Sequence, residues 1–447
     1  MVTETITALA RALHARETTA EALLDRCLQR IAERNSTINA FITVCEAEAR
    51  VQARDVDREI AAGRSRGPLH GIPISLKDLF DLRATPTTAA SNVRRHYVAT
   101  HDAPCVARLR EAGAVFVGKT NLHEFAFGTT NEDSAFGPAR HPSDPSRSPG
   151  GSSGGSGASV ADGMCCASMG TDTGGSIRIP SAICGLVGLK PTVGELSTAG
   201  VVPLSMTLDH IGPMCRSVDD ARIMYDVLRG VQIQQPSAPL RVARGLKFAI
   251  PRGYFFALLD PHVAAAFDRT CDRLRDAGAT FTDVDIPHAG DIAAIYLHIV
   301  LPEASAYHAK TLERQPEQYT PNVRMRLEMG RYVLAEDHVR ALHGRRLIKQ
   351  EVDAALAGVD GLFLPSMPIA APKIGAATMR LGGLEEPIRN LMLRCTQAFN
   401  VSGHPAITLP IARTIEGLPI GAQIVGAYGN TSRLLDAAST VEAVLAA

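Results

Sequence analysis

Hydrophobic residues recur at helical spacing near the start of the chain. The apolar positions that follow one another at steps of three and four residues are Leu23, Leu24, Cys27, Leu28 and Ile31. This spacing predicts a helix with its N-cap at Thr18 or Thr19, and a second helix is predicted to end at Gly63. Residues 1–65 are therefore expected to form an N-terminal helical segment.

A two-residue alternation then replaces the helical period. In HGIPISLKDLF, apolar residues alternate with Pro73, Ser75 and Lys77, which is the period of a β-strand and places Lys77 on it. A helix at ARLREAG and a strand at AVFVG follow. TNLHEFAFG predicts another helix start, because Asn121 and Glu124 have the spacing of a capping box.

Helical and strand patterns continue to alternate up to the C-terminus. Strands are predicted at LKFAIP, TFTDVDI, GLFLP, AITLPIA and PIGAQIVG, and helices at SVDDARIMYDVLRG, HVAAAFDRTCDRLRDAG, EDHVRALHGRRLIKQEVDAALAG and SRLLDAASTVEAVLA. Strand patterns near both chain ends indicate one sheet assembled from distant segments, and the alternation favours an α/β fold. Residues 231–245 are the best candidate for a linker or surface connection.

Glycine is concentrated in one part of the chain. Nine of the 27 residues from Gly150 to Ser176 are glycine, against 38 of 447 overall. Apolar residues such as Val160, Met164 and Cys165 interrupt the run, and a flexible Gly/Ser linker does not carry them. We therefore expect these glycines to serve backbone geometry inside a packed region.

The overall charge excludes several classes of partner. The 46 basic residues balance the 46 acidic ones, so no whole-protein field attracts nucleic acid or an anionic membrane. The N-terminus lacks a secretion signal, and no run reaches the roughly 18 apolar residues of a membrane span. The nine cysteines form no C-x-x-C motif. These features predict a soluble, cytoplasmic protein with reduced thiols.

Three motif matches are interpreted as accidental. Gly113–Thr120 fits the phosphate-loop pattern, but its centre is a β-branched and aromatic run that favours a strand. Gly151–Gly155 fits the G-x-S-x-G nucleophile elbow, but the preceding HPSDPSRSP cannot supply the strand that an elbow requires. His123-Glu124 begins a zinc motif whose second histidine position is Phe127. We therefore expect no metal and no cofactor.

Two glycine-flanked serine clusters remain, GGSSGGS and TDTGGSIRIP. A serine hydroxyl is a weak nucleophile that needs a base in contact and donors aimed at the oxyanion. Glycines allow consecutive backbone N–H groups to point at one spot, although such a turn is often only a turn. A lysine on a strand among apolar residues would lose its hydration, which lowers an ammonium pKa and allows Lys77 to accept a proton.

The motifs taken together resemble those of the amidase signature family. They are GIPISLKD, GKTNLHEFAFG, SPGGSSGGS, GTDTGGSIRIPSAICGLVGLKPT, LDHIGP and GLPIGAQIVG, which occur in the family's order from about Gly71 to the C-terminus. The resemblance implies a single domain over residues 1–447. Its fold would be α/β, with a large mixed twisted sheet flanked by helices on both sides.

The resemblance also implies a Ser-Ser-Lys triad. By motif position, Ser176 resembles the nucleophile, Ser152 the bridging serine after a cis peptide bond, and Lys77 the base. The implied oxyanion hole consists of the backbone amides of Thr173, Gly174, Gly175 and Ser176. Asp172 and Arg178 are expected to form a structural ion pair, since arginine cannot act as a base.

The acyl pocket is where this sequence departs from its relatives. Ile179 stands where the A-type subunits of tRNA-dependent amidotransferases usually carry glutamine, and an apolar side chain there favours aryl or alkyl acyl groups. The substrate-binding candidates are Phe127, Gly128, Thr129, Thr130 and Ile179. Phe125 and Phe127 are expected either to wall the pocket or simply to pack in the core.

These inferences predict a hydrolase of small apolar amides or anilides, with carbamates as a second substrate class. The alternative is the A-type catalytic subunit of a tRNA-dependent amidotransferase complex, which the neutral charge disfavours. The expected partner is a small-molecule amide or carbamate, with no nucleic acid and no membrane. Homodimer assembly is left open, and residues 300–400 are expected to shape the pocket.

Overall fold

The computed structural model describes residues 1–231 and 245–447. The linker predicted at 231–245 lies almost wholly outside the described residues. Within them, the backbone forms one large mixed sheet with helices packed around it and a separate two-stranded hairpin.

Thirteen strands are found in the described ranges. They are β1 (Phe41–Val44), β2 (Pro73–Lys77), β3 (Val115–Thr120), β4 (Ala167–Asp172), β5 (Val187–Lys190), β6 (His210–Cys215), β7 (Lys247–Pro251), β8 (Thr280–Val284), β9 (Gly361–Pro365), β10 (Thr378–Leu381), β11 (Leu384–Pro387), β12 (Ala406–Arg413) and β13 (Pro419–Val425). The large sheet has the order β1-β3-β2-β4-β6-β5-β12-β13-β9-β7-β8, and β10 pairs with β11. The predicted large mixed α/β sheet is therefore confirmed.

The described helices lie between these strands. They are α1 (Ile6–His14), α2 (Ala20–Ile38), α3 (Glu46–Ala61), α4 (Pro104–Glu111), α5 (Gly154–Ala161), α6 (Arg178–Cys184), α7 (Val218–Arg229), α8 (Gly253–Phe256), α9 (Pro261–Asp276), α10 (Ile292–Arg314), α11 (Pro321–Gly330), α12 (Ala335–Ala355), α13 (Ile388–Arg394), α14 (Gln397–Val401) and α15 (Thr431–Ala446). None of the helices in the described ranges is long and apolar enough to cross a membrane.

The first predicted helix has the expected cap. The Thr19 hydroxyl accepts a hydrogen bond from the Ala22 amide at 3.1 Å, and the helix ends where Asn39 turns left-handed with φ +54°. Residues 1–65 hold three helices, but they also supply β1, which pairs antiparallel with β3 at one edge of the sheet. The N-terminal segment is thus part of the sheet and not purely helical.

The capping box predicted at Asn121 and Glu124 is wrong. Only a 3₁₀ turn spans Glu124–Ala126. The Asn121 side-chain amide donates to the Gly137 carbonyl at 2.9 Å, and the Glu124 carboxylate accepts from the Thr320 amide at 2.7 Å. Tertiary partners therefore use both side chains that the local pattern assigned to a helix start.

Both faces of the sheet are covered by apolar side chains. Along β9, Phe363 joins one buried cluster while Leu362 and Leu364 join another, because alternate residues of a strand point to opposite faces. Every residue of β2 is buried as well. A central strand covered on both faces leaves no exposed position, and Lys77 is therefore 0% exposed.

Candidate active site

Adjacent strand ends bring the predicted catalytic residues to one place. Lys77 ends β2, which pairs parallel with β4. β4 leads directly into the loop that carries Ser176, and Ser152 lies just before α5. The carboxyl ends of parallel strands meet at one edge of a sheet, and ligand sites of open α/β sheets form there.

Lys77 is a fully buried lysine at this edge of the sheet. Its Nζ lies 2.7 Å from the Ser152 hydroxyl and 2.7 Å from the Thr171 hydroxyl on β4. Burial lowers the pKa of Lys77 from 10.5 to about 7, although the negative charges of Asp209 and Asp172 act to raise this pKa. A lysine with this pKa is substantially neutral near pH 7, so its nitrogen can accept a proton.

The two serines differ in their surroundings. Ser152 is fully buried, follows a cis peptide bond from Gly151, and is joined to Lys77. Ser176 is 5% exposed and faces a pocket. Within the described ranges its hydroxyl has no hydrogen-bond partner, and it makes no direct bond to Ser152. The geometry thus joins Lys77 to Ser152 and leaves the Ser176 hydroxyl free to turn.

The loop before Ser176 holds unpaired backbone donors. In the described part of the chain, the N–H groups of Gly174, Gly175 and Ser176 have no protein acceptor. Gly175 has φ +141°, and a Cβ there would lie 2.3 Å from the Thr396 hydroxyl, so this position requires glycine. That hydroxyl donates to the Gly174 carbonyl at 2.6 Å and fixes the loop from behind. Free amides on one short loop are suited to binding an oxyanion.

A buried ion pair anchors both ends of this loop. Arg178 donates to Asp172 through Nε and Nη2, each at 3.0 Å, and both side chains are fully buried. Asp172 also accepts from the Ile177 amide at 3.2 Å. Burial opposes the ionisation of Asp172, but the Arg178 charge holds its pKa well below the usual range. The predicted structural ion pair is present.

Asp209 is a neighbour of the site that the sequence did not single out. Its carboxylate accepts from the Thr173 hydroxyl at 2.6 Å, and burial raises the pKa of Asp209 to about 6. The next residue, His210, is bonded through Nδ1 to the Leu208 carbonyl at 2.7 Å. Asp209 therefore holds Thr173 and contributes negative charge near Lys77.

Ser176 opens into a small, narrow pocket. It is lined by Ala126, Phe127, Gly128, Thr129, Thr173, Gly174, Ser176, Leu204, Tyr296, Arg389 and Leu393. Three of the five predicted substrate-binding residues, Phe127, Gly128 and Thr129, belong to this wall. Within the described ranges Thr130 and Ile179 do not line it.

The assignment of Ile179 to the acyl pocket is corrected by its position. Ile179 is 0% exposed and belongs to the main buried apolar cluster. A Cβ placed on Gly175 would lie 2.8 Å from its Cδ1, so Ile179 packs beneath the loop and not in the pocket. Its place on the first turn of α6, whose residues are all buried, explains this.

The two phenylalanines of the 121–130 segment separate into the two expected roles. Phe125 packs edge-on against His308 at 4.3 Å between ring centroids and lies in the core. Phe127 is also buried but contributes to the pocket wall. Of these two residues, only Phe127 therefore forms part of the pocket wall.

Besides Asp209, sequence reasoning missed Ala126 and Leu204 of the pocket wall and four further residues of the site or its support. Thr171 contacts Lys77, while Tyr296 of α10, Arg389 and Leu393 of α13 line the pocket. No motif marks the last three, because they come from helices far from the glycine-rich segment in sequence. Arg389 and Leu393 do fall in the 300–400 region that was expected to shape the pocket.

Among the described residues, no group of three or more His, Cys, Asp and Glu side chains could hold a metal ion.

Known proteins are similar to this chain over nearly its whole length. The profile of the amidase family matches residues 22–435. An amidase of Pseudomonas putida is 41% identical, over 93% of this chain and 90% of its own length. The A-type subunit of the glutamyl-tRNA(Gln) amidotransferase of Koribacter versatilis is 35% identical, over 99% and 98%. A solved crystal structure of an amidase superposes with a TM-score of 0.93 at 37% identity, covering 98% of this chain and 99% of that one.

Proposed function

Because the chain belongs to the amidase family, we propose that it hydrolyses amide C–N bonds of small molecules through an acyl-enzyme on Ser176. The observation that carries this proposal is the contact between buried Lys77 and Ser152, beside a loop of unpaired amides that ends at Ser176. A base, a relay and an oxyanion site are the parts that serine acyl transfer requires.

In the proposed first half-reaction, the Ser176 hydroxyl turns toward Ser152 and attacks the carbonyl carbon. The Ser176 proton passes to Ser152 while the Ser152 proton passes to neutral Lys77. The amides of Thr173, Gly174, Gly175 and Ser176 bind the oxyanion that forms. The same relay returns the proton to the departing amine as the C–N bond breaks.

In the second half-reaction, water takes the place of the amine. It attacks the acyl-enzyme carbonyl while Ser152 and Lys77 accept its proton, and the carboxylic acid leaves as Ser176 recovers its hydrogen. The pKa of Lys77 near 7 supports both directions of transfer, since neither protonation state is strongly favoured at neutral pH.

The acyl group of the substrate must fit the pocket beside Ser176. Phe127, Leu204 and Leu393 offer an apolar wall, which replaces Ile179 as the support for an aryl or alkyl acyl portion. Carbamates present a similar carbonyl to the same serine and belong to the proposal.

A second candidate is catalysis as the A-type component of an amidotransferase complex. The 35% identity to such a protein over 99% of this chain favours it. The balanced net charge argues against contact with tRNA by this chain itself.

The two candidates are separated by the purified chain acting alone. Anilides, primary amides, carbamates and esters are incubated with it, and the release of amine or ammonia, or of alcohol from the esters, is measured, with Ser176→Ala as the control. Steady turnover of amides or carbamates that is lost in the variant supports the proposal. Turnover that needs an acyl-tRNA and added partner proteins would favour the amidotransferase role instead.

A further inference from the structure

The Asp209 carboxylate joins two separate segments of the pocket wall. It accepts a hydrogen bond from the Thr173 hydroxyl at 2.6 Å and another from the Leu204 amide at 2.9 Å, one on each oxygen. Thr173 and Leu204 both line the pocket that holds Ser176. One side chain therefore sets the position of the loop that carries Thr173 relative to the turn that carries Leu204.

The register of two strands brings Asp209 to this position. β4 and β6 pair antiparallel, and their register places Thr173 and Asp209 opposite each other one step beyond the last pair. Residues that stand opposite each other across two strands are close enough for their side chains to interact. The Asp209 amide also donates to the Ser205 carbonyl at 3.0 Å, which closes the turn before β6 on the same residue.

Asp209 has no cation in direct contact. Within residues 1–231 and 245–447 it forms no ion pair, whereas Asp172 of β4 is bonded to the Arg178 guanidinium at 3.0 Å. A carboxylate that loses water is costly unless hydrogen bonds or another charge compensate it. Burial raises the pKa of Asp209, and the positive charge of Lys77 opposes that rise. Asp209 is therefore an anion that acts on the base from a distance.

Several other charged or titratable groups surround Lys77 and Asp209. They are Asp172, Arg178, His210, Tyr296, Glu303 and Arg389. Burial holds the pKa of His210 well below its usual range and raises the pKa of Tyr296, so both side chains are neutral at pH 7. Neither of them can therefore balance a charge on Lys77.

The remaining charges do not balance a proton on the base either. The Asp172 carboxylate is already bonded to Arg178, and Arg389 is itself a cation. Glu303 is hydrogen-bonded in an exposed contact, where solvent screens its charge. Of these described groups, Asp209 is the one left with an uncompensated negative charge.

We propose that Asp209 is a positioning residue of acyl transfer, which holds Thr173 and Leu204 around the substrate carbonyl and balances the charge of the Lys77 ammonium formed during acylation. In that step the Lys77 Nζ takes the proton that leaves Ser152, so positive charge appears on this nitrogen while negative charge appears on the carbonyl oxygen. By holding Thr173, Asp209 also keeps the oxyanion donors aligned. This inference rests on the proposed function, because the ammonium forms in this step only if Lys77 is the base.

The rate of Ser176 labelling by a neutral fluorophosphonate, followed from about pH 5 to 9, tests both parts of this role. Asp209→Asn removes the charge that raises the pKa of Lys77, so we expect the midpoint to move to lower pH by roughly half a pH unit or more. The plateau rate should fall about tenfold, because the carboxylate no longer holds the loop. Thr173→Val removes the hydrogen bond and leaves the charge, so the plateau rate should fall while the midpoint stays.

Asp57→Asn is the matched control for these measurements. Its carboxylate also accepts two hydrogen bonds, from the Ala20 and Glu21 amides, but it lies on α3 outside the pocket. Asp57→Asn should change neither the midpoint nor the plateau. An unmoved midpoint in Asp209→Asn, or a plateau rate equal to that of the wild type, overturns the inference. If Asp209→Asn does not fold, Asp209→Glu takes its place, because it keeps the charge but lengthens the side chain; the midpoint should then stay and the plateau fall, and a wild-type plateau overturns the inference.

Nuclear magnetic resonance of lysine labelled with ¹³C at Cε separates this inference from the proposed function. The titration of Lys77, identified by its absence from Lys77→Met, is measured in the wild type and in Asp209→Asn, and we expect it to move to lower pH in the variant. Equal titration in both proteins overturns the inference and leaves acyl transfer on Ser176 intact. Failure of the fluorophosphonate to label Ser176 in the wild type overturns the proposed function, while the Lys77 titration still tests the link to Asp209.

Discussion

The Nζ of Lys77 lies 2.7 Å from the hydroxyl of Thr171, on the strand next to its own. Lys77 therefore has two hydroxyl partners, Thr171 and Ser152, and within the described ranges no carboxylate in hydrogen-bond contact. Burial lowers the pKa of Lys77, while the charges of Asp209 and Asp172 raise it from a greater distance. This balance gives a buried amine that can change protonation state near neutral pH.

Replacing Thr171 with Val removes one acceptor from the Lys77 ammonium. Because that acceptor favours the charged form, we expect the pKa of Lys77 to fall and the midpoint of the kcat/KM–pH profile to move below about 7. The plateau kcat should fall about tenfold from poorer positioning of the base. Profiles of wild type, Thr171→Val and the buried-threonine control Thr408→Val test this. A lower plateau with an unchanged midpoint would contradict this expectation and indicate that Thr171 contributes only through packing, without affecting the pKa of Lys77.

Lys77→Met should abolish the base with the fold intact. We expect kcat/KM to fall by roughly 10²–10⁴, with Lys310→Met, an exposed lysine on α10, as the control. The folded pKa of Lys77 lies below its unfolded value, so the folded state binds fewer protons between about pH 7 and 10.5. Because the unfolded state binds more protons there, wild-type stability should rise with pH across that window, and Lys77→Met should lack this contribution. Near-normal turnover in the variant would refute the assigned role.

Ser152→Ala would interrupt the proposed relay between Lys77 and Ser176. The expected result is a loss of roughly 10²–10⁴ in kcat with little change in KM, because Ser152 acts on the proton and not on substrate binding. Ser156→Ala is the matched control, since the Ser156 hydroxyl bonds to Thr120 and Met169 and not to Lys77. Equal losses in both variants would indicate damage to packing around α5 instead of a broken relay.

Arg178→Met leaves the Asp172 carboxylate buried without its cation. We expect the free energy of unfolding to fall by about 3–5 kcal/mol, measured by urea denaturation monitored by circular dichroism. Arg275→Met removes an exposed arginine that pairs with Asp272, and should cost less than about 1 kcal/mol. A small effect of Arg178→Met would mean that Asn400 and the backbone amides suffice to hold Asp172.

The candidate site could be proposed from the sequence mainly because its motifs resemble those of the amidase signature family. Lys77 lies at the end of an alternating apolar run, and Ser152 and Ser176 lie in glycine-rich turns. The residues that form the sequence motifs are therefore the same residues that give the backbone its local conformation at the site. The strand periodicity also predicted most of the sheet. It could not reveal that both faces are covered, which is what removes water from Lys77.

The pocket was not predictable in the same way. Tyr296 lies on α10, a continuous 23-residue helix that contains Pro302 and was not predicted from its pattern. Arg389 lies on a seven-residue helix after a hairpin. Ile179 was misplaced because sequence distance from Ser176 does not tell on which side of the loop a side chain points. Asn121 and Glu124 fit a capping box, but more distant partners bind them. Tertiary contacts decide all of these positions.

The rate of covalent labelling of Ser176 by a fluorophosphonate, measured from about pH 6 to 9, tests the central claim most directly. The account predicts one adduct, mapped by mass spectrometry to Ser176 and absent from Ser176→Ala. Its rate should rise with a midpoint near pH 7, and be about tenfold slower at pH 6 than at the plateau, as Lys77 loses its proton. An adduct on another residue, or a rate that does not change across this pH range, would contradict a buried neutral lysine activating Ser176 through Ser152.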